Sequence, residues 1–427
     1  PPVRCVKMNI NNSNVSMSEI REALVLAEQL AKESIEKGTT LSVPISSRTR
    51  SRSHSPRPNR NGVEIPEKPG GFVPPKQLLL YLVRMGSFSS KTKIENEDSQ
   101  DDDIEFPLSL TASDMLDICH NELSSHPPMV TREHSILKPC SDSSSVKIKI
   151  MQWNILSQSL GMYNDKFVCV PEDALLWSTR RYRILEGIAD YDPDVICLQE
   201  VDHFKFLEKA LGSLGYQGVF FPKPDSPCYY IADNNGPDGC AIFFKKTKFT
   251  LLDCVKRVIE VWRVQSNQVV VMVNLCVNGS GKEFSVVTTH LKARQGALLS
   301  ALRQEQGKDV LDFIQCNRND RPVIVCGDFN AECSEPVYSI MTTNPSLPLA
   351  SAYYQKENKE PLYTTWKIRE EGEICHTIDY IFYSRENFDV LSLLNLPSAE
   401  QIGEDRVPSY SYPSDHFSLM SEMELLS

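Results

Sequence analysis

Several features are missing from these 427 residues, and each absence removes a class of explanation. No two of the 13 cysteines stand as Cys-x-x-Cys, and their number is odd. Cys197, Cys240, Cys276 and Cys326 sit inside apolar stretches. Reduced, buried thiols in a reducing compartment are therefore expected, rather than a disulfide framework or a zinc site. No apolar run near the start approaches the roughly 20 residues of a membrane span. The longest there is Leu78 to Val83, and no signal peptide is visible. The chain begins on Pro1 rather than a methionine, so a missing start is expected and a transit peptide stays open. No Gly-x-Gly-x-x-Gly opens a helix, which excludes a dinucleotide held for hydride transfer. Excess positive charge is also lacking. The net charge is -11 and the pI about 5.4, which argues against a broad polyanion-binding face but not against a local basic pocket. No internal repeat is visible.

What is present changes sharply near residue 105. Residues 1–105 are expected to be largely disordered, with one short helix. Ser16 and Glu19 resemble a capping box ahead of the amphipathic set Ile20, Leu24, Ala27 and Leu30. Ser46 to Asn61 is rich in Ser, Arg and Pro, and residues 95–105 form an acidic run. Both read as solvated linkers. Residues 106–145 form a helical lead-in, with a helix over Ala112 to Leu123. Residues 146–427 read as one domain. Strands are expected at Val146 to Trp153, Asp194 to Gln199, Asp238 to Lys245, Val269 to Val277, Glu283 to Leu291, Pro322 to Gly327, Thr377 to Ser384 and Asp415 to Glu424. Helices are expected at Ala174 to Asp190 and Ala297 to Gln315. Such an order, lacking regular β-α alternation, suits two packed sheets with helices outside.

The chemistry is expected where apolar runs end in polar residues. Asn154 ends MQWN, Glu200 ends ICLQE and His290 ends VVTTH; Asp328 and Asn330 end VIVCGDFN. Asp379 lies inside TIDYI, and Asp415 with His416 opens the last strand. One such residue is most often a turn residue. Six positions in one domain need another account, because burying unpaired charge costs several kcal/mol per group. Side chains at i, i+2 and i+4 share a strand face, so His290, Lys292 and Arg294 are expected to point together, as are Asp328 and Asn330. Acids, amides and imidazoles beside two cations suit a phosphate ester on a divalent metal. The oxygen-rich, thiolate-free set favours magnesium, with manganese as the alternative, over zinc.

These blocks (MQWNIL, LQEVD, THLKAR, GDFNAE, TIDYIF and SDH) resemble, in order, the signature of the endonuclease/exonuclease/phosphatase superfamily. The wording is closest to a branch related to carbon-catabolite-repressor-type deadenylases, in GYQGVFFPKP, NNGPDGCAIFF, YTTWKIR and YPSDH. The resemblance runs from near residue 108 to the end. It implies a four-layer α/β sandwich with two central mixed β-sheets flanked by helices. It also implies phosphate-ester hydrolysis, and for this branch removal of the 2′-phosphate of NADP and NADPH to give NAD and NADH. The leucine-rich repeats that precede the catalytic domain in some deadenylase relatives are absent, and the loop Asp225 to Asp233 has no match.

On that resemblance Glu200 is expected as the metal ligand at the substrate, assisted by Asn154. Asp328 would position or deprotonate water, and Asn330 would orient that carboxylate or a phosphate oxygen. His416 would bond the phosphate with its tautomer fixed by Asp379. His290 would be a second phosphate ligand or the proton donor to the leaving oxygen. Lys292 and Arg294 would contact substrate phosphates, as would Lys223 and Arg369, which rest on the resemblance alone. Three alternatives stay open: a 3′ exonuclease shortening poly(A), a non-catalytic adaptor of an mRNA complex, and a phospholipid or inositol phosphate phosphatase. The expected partner is therefore NADP or NADPH, with weak or indirect RNA association as the alternative. No membrane span is expected, the oligomeric state is open, and cytosol is favoured with mitochondrion second.

Overall fold

The computed structural model describes Val25, Glu28, Gln29, Lys32 and residues 104–139, 145–232 and 234–426. The expected capping box at Ser16, the Arg/Ser tract and Leu78 to Val83 lie outside the described residues, as does the acidic run up to residue 103. Among the described residues no helix is long and apolar enough to cross a membrane.

Two mixed sheets form the centre. The first places seven strands in the order β1 (His134–Ile136), β14 (Phe388–Leu394), β15 (Leu419–Leu425), β2 (Val146–Asn154), β3 (Val195–Val201), β5 (Gly239–Lys245) and β4 (Tyr216–Pro222). The second places six in the order β10 (Leu349–Ser351), β13 (Asp379–Ser384), β9 (Val323–Asp328), β8 (Glu283–His290), β7 (Val264–Val277) and β6 (Phe249–Val261). Each sheet has one parallel pair, β2 with β3 and β8 with β9; the other pairs are antiparallel. A small ribbon joins β11 (Thr365–Arg369) to β12 (Gly372–His376).

Strand periodicity builds the layers. In β2, Ile148 and Ile150 face the second sheet, whereas Met151 and Trp153 face outward. In β7, Val269, Val271 and Val273 face the first sheet, whereas Val270 and Met272 face outward. In β9, Ile324 and Cys326 face in, and Val323 and Val325 face out. The outer face of the first sheet is covered by α1 (Ala112–Glu122), α3 (Trp177–Tyr191) and α4 (Phe204–Ser213) through Met115, Ile184, Leu185, Phe206 and Leu207. Between β2 and α3 lies the short α2 (Gln158–Tyr163). The outer face of the second sheet is covered by α5 (Ala297–Asn317) and α6 (Pro336–Thr343) through Val310, Phe313, Ile314 and Val337. The four-layer α/β sandwich is thus the architecture, with each parallel pair bridged by a long helix.

Several expectations need correction. The last strand begins at Leu419, so Asp415 and His416 precede it in irregular chain. Asp379 is the first residue of β13, not an interior one. β8 ends at His290, so Lys292 and Arg294 do not share a strand face with it; Arg294 even has a φ of +80°. The helix expected from Ala174 starts at Trp177, after a 3-10 turn over Glu172–Leu175. Every cysteine among the described residues is free; Cys197, Cys240 and Cys326 are buried, but Cys276 is only half-buried.

Candidate active site

Four central strands stop at one edge of the sandwich, and their last residues converge there. Asn154 closes β2, Glu200 lies near the end of β3, and His290 and Asp328 close β8 and β9 side by side. Asp379 enters from β13 in register with Asp328. Gly327 permits the close approach of β9 to β8, because a Cβ there would stand 2.5 Å from the Thr289 carbonyl oxygen. The β3–β5 register shifts between Leu198 and Val201, and Glu200 takes a φ of +56°. A non-glycine residue in that region is uncommon and is a feature of functional sites.

Asn154 links two carboxylates. Its Nδ2 donates to Glu200 Oε1 and to Asp328 Oδ2, each at 3.0 Å, while its Oδ1 accepts from the Leu156 N–H at 3.0 Å. Glu200 Oε2 accepts from the Ser157 N–H at 3.1 Å. Asp328 Oδ1 accepts from the Asn330 backbone N–H at 2.9 Å. The Asn330 side chain donates to the Leu291 carbonyl instead, at 3.1 Å. Its φ of +49° takes it off the strand pattern, so its backbone, not its amide, orients Asp328.

Two histidines flank Asp328 in opposite states. Nδ1 of His416 lies 2.8 Å from Asp379 Oδ2, and its Nε2 lies 3.7 Å from Asp328 Oδ2. Burial opposes its charge, but Asp379, Asp415 and Asp328 overcome this and raise its pKa to about 9. Nδ1 of His290 lies 3.4 Å from Lys223 Nζ, and its Nε2 lies 3.5 Å from Asp328 Oδ2. An ammonium only donates, so Nδ1 accepts and the proton sits on Nε2. Burial, then Lys223 and His416, hold His290 well below its usual pKa. A neutral imidazole can donate a hydrogen bond but is not an acid, so the expected proton-donor role does not fit His290. Burial pushes Asp328 up to about 7, opposed by His416 and aided by Asp379.

The cleft as a whole, about 820 Å³, carries charge of both signs: Lys223, Lys292, Arg294, Arg303, Lys367 and Arg369 line it beside Asp165, Glu200, Asp328, Glu332, Glu335 and Asp415. Lys223 pairs with Asp238 at 2.5 Å. Lys292 is pushed down to about 8 by burial, Arg294 and Lys223. Arg369 Nη2 reaches Asp165 at 2.8 Å and Asp415 at 3.5 Å. Thus nine of the eleven expected site residues line one cleft, Lys292 and Arg294 from a loop, while Asn154 and Asp379 stand behind it, bonded to Asp328 and His416.

The donor set fits a divalent cation. The candidate donors are carboxylate oxygens with one imidazole, and no thiolate is among them. Asp165 is raised to about 7 by burial, with Asp415 and Glu200 adding to the crowding and Arg369 opposing it. Asp415 Oδ1 is buried without a hydrogen-bond partner. Asp328, Asp379 and His416 bring one ligand atom each within 4.8 Å, close enough to hold a metal, while His416 Nδ1 and Asp379 Oδ2 also pair with each other. Glu200, which is only half-buried, remains open to the cleft.

A model of the endonuclease/exonuclease/phosphatase family matches residues 151–416, from β2 to His416. The chain belongs to this family. It is 48% identical over 402 residues to nocturnin of Drosophila melanogaster, a match covering 83% of this chain and 62% of that protein. The human nocturnin catalytic domain, solved with a bound sulfate anion, superposes with a TM-score of 0.58 at 40% identity, covering 70% of this chain and 99% of that one. The exoribonuclease subunit Ccr4 of the CCR4-Not complex from Emericella nidulans is 26% identical over 381 residues, covering 71% of this chain and 56% of that protein.

Lys367 and Asp165 also line the cleft, outside the expected set of site residues. Lys367 pairs with Asp415 and stands two residues before Arg369 in β11, so strand parity could have found it. Asp165 sits just past α2 in a loop that carries no sequence signal. Asp415 was read only as part of its motif. It is held well below the usual carboxylate range because, against burial, Lys367, His416 and Arg369 favour its charge. Asp379 is braced by Thr364 Oγ1 at 2.7 Å.

Proposed function

We propose that this chain is a magnesium-dependent phosphatase that removes the 2′-phosphate of NADP and NADPH, giving NAD and NADH. The observation that carries the reading is the lining of the cleft. It sets Lys223, Lys292, Arg294 and Arg369 beside the Glu200–Asp328–His416 centre, together with carboxylates suited to a cation, and no Phe, Tyr or Trp lines it among the described residues. Single-strand nucleases use aromatic platforms along a basic track. A compact, multiply anionic ligand suits this lining better, and the volume is in the range of a cofactor-sized pocket. The human nocturnin catalytic domain was solved with a bound sulfate anion, which supports anion binding by such a domain.

Glu200 would hold the cation, with the unpartnered Oδ1 of Asp415 as a further oxygen. What the cation supplies when bound is Lewis-acid polarisation of the phosphoryl oxygen. The chain's own residues do the rest. His416, charged and with Nδ1 tied to Asp379, offers its Nε2–H to a phosphoryl oxygen. Asp328, fixed by Asn154 and the Asn330 N–H, orients the attacking water and draws its proton as the water oxygen bonds phosphorus. The bond between phosphorus and the ribose 2′-oxygen breaks in the same displacement, and the leaving 2′-oxygen takes a proton from solvent while the proton drawn by Asp328 returns to solvent. Lys292 and Arg294 neutralise the remaining phosphate charge, and His290 adds a neutral N–H donor.

A 3′ exonuclease acting on poly(A) is the second reading. The likeness to Ccr4 favours it, and so does Tyr163, which is 61% exposed two residues from Asp165 of the cleft. Calorimetry separates the readings. Metal-free protein is expected to bind NADP at least about ten-fold more tightly than NAD, since one charge-assisted phosphate contact is worth roughly 1.5–3 kcal/mol. Equal binding of NADP and NAD, with tighter binding of oligo(A), contradicts the phosphatase reading.

A further inference from the structure

Lys223 lines the cleft, and a fully buried carboxylate stands behind it. β4 and β5 run antiparallel with Pro222 opposite Gly239, so the next residues outward, Lys223 and Asp238, face each other. A Cβ on Gly239 would collide with the Phe221 carbonyl oxygen, so glycine permits this close approach. The Lys223 backbone N–H donates to the Asp238 carbonyl at 2.9 Å, and its ammonium donates to Asp238 Oδ2 at 2.5 Å. Burial opposes the charge on Lys223, but Asp238 and Glu200 outweigh it and push its pKa up. The carboxylate is held in turn by the chain between the two strands. Ser226 Oγ donates to Asp238 Oδ1 and accepts from the backbone N–H groups of Asp238 and Cys228, each at 3.1 Å. Cys228 Sγ donates to the same oxygen at 3.8 Å. Both residues belong to the loop that has no match in the family signature, and a 3-10 turn over Pro227–Tyr230 brings them back to Asp238.

A carboxylate bonded on both oxygens cannot turn, and it fixes the ammonium beside it. On its other side Lys223 Nζ lies 3.4 Å from His290 Nδ1, which must accept because an ammonium only donates. The Nε2 of His290 then carries the proton and lies 3.5 Å from Asp328 Oδ2. We propose that Asp238 is a positioning residue of this site: through Lys223 it fixes the His290 imidazole with its proton on Nε2, directed at the reacting centre, and the loop bearing Ser226 and Cys228 holds Asp238 for that task. This role rests on the cleft being a phosphate-ester site, whichever ester it takes. Without the carboxylate, Lys223 would be a buried, unpaired charge. It would lose its proton or swing away, and the two ring nitrogens of His290 would compete for one proton, since the tautomer is set by the bond that the other nitrogen makes.

The test is a double-mutant cycle on the full chain, read by nitrogen NMR of the histidine rings. In the parent protein His290 is expected to show a protonated Nε2 and an unprotonated Nδ1. Asp238→Asn should abolish that single state and leave a mixture of the two tautomers. Lys223→Met should give the same mixture, and adding Asp238→Asn to Lys223→Met should change nothing further. An unaltered His290 in Asp238→Asn overturns the proposal, because Asp328 alone would then set the tautomer. A further change on adding Asp238→Asn to Lys223→Met also overturns it, because Asp238 would reach His290 by a route other than Lys223. Breaking a buried pair can unfold a protein, so thermal unfolding accompanies the spectra. Asp238→Asn should melt below the parent, and the double variant should recover stability. If Asp238→Asn does not fold, the double variant decides. Recovered folding with a mixed tautomer supports the role; a double variant no more stable than Asp238→Asn overturns it, because Asp238 would then serve the fold independently of Lys223. None of these readouts uses turnover, so a failed NADP assay would leave them standing.

Discussion

His290 and His416 both face the Oδ2 of Asp328, yet burial and neighbours leave the first neutral and the second charged. The difference lies in the partner at Nδ1: an ammonium for His290 and a carboxylate for His416. Asp379→Asn should therefore lower the His416 pKa and reduce kcat by roughly 100-fold, the scale of losing one oriented transition-state donor. Histidine NMR titration checks the first effect, and an unshifted His416 would contradict the assignment. Lys292 gives a pH prediction. Its pKa of about 8 means that it is charged below that pH and loses its charge as pH rises through it. Binding of an anionic substrate should weaken above pH 8, seen as a rising KM. Lys292→Arg, which stays charged, should flatten that rise; an identical KM profile in both proteins would rule Lys292 out as the titrating cation. These residues were legible in the sequence because charged groups at the ends of apolar runs conflict with burial unless they share a purpose. Protonation states were not legible, since they depend on partners such as Lys223 and Thr364 that lie far off in the chain.

At the scale of elements, α3 does more than cover the first sheet. Its buried Arg180 donates from Nη1 to the carbonyls of Ile155 at 2.8 Å and Pro413 at 3.0 Å, and from Nη2 to the Leu156 carbonyl at 2.8 Å. Nε reaches the Leu175 carbonyl at 3.2 Å. One guanidinium thereby ties the loop after Asn154 to the loop before Asp415 and His416. Arg180→Ala should destabilise the protein by about 3 kcal/mol, because several buried carbonyls lose their donor together. Thermal unfolding should show a fall of several degrees, and an unchanged Tm would show that the loops are held by other means. The sequence signalled this helix but not this role, since Arg180 is one of several arginines in WSTRRYRIL. Central strands were legible from β-branched runs. Their ends were not. The ladder stops where its partner stops, so β8 ends at His290 beside the end of β9 at Asp328, and the residues beyond follow loop geometry rather than alternation.

Across the whole molecule, the two parallel pairs β2–β3 and β8–β9 point their ends toward one cleft, one from each sheet. This explains why six motifs spread from Asn154 to His416 form a single site, and why the family likeness covers that whole span. The order of motifs was readable in the chain. The convergence of both sheets was expected only through the family resemblance, because long-range sheet packing leaves no local pattern. The central claim is that this cleft hydrolyses a dinucleotide 2′-phosphate. Its most direct test is inorganic phosphate release from NADP and NADPH by the full chain with magnesium, run beside shortening of 3′-labelled poly(A), with Glu200→Ala as the blank. Phosphate release that is lost in Glu200→Ala and on chelation of the metal is the predicted result. No release from either nucleotide, together with poly(A) shortening that Glu200→Ala abolishes, would contradict it.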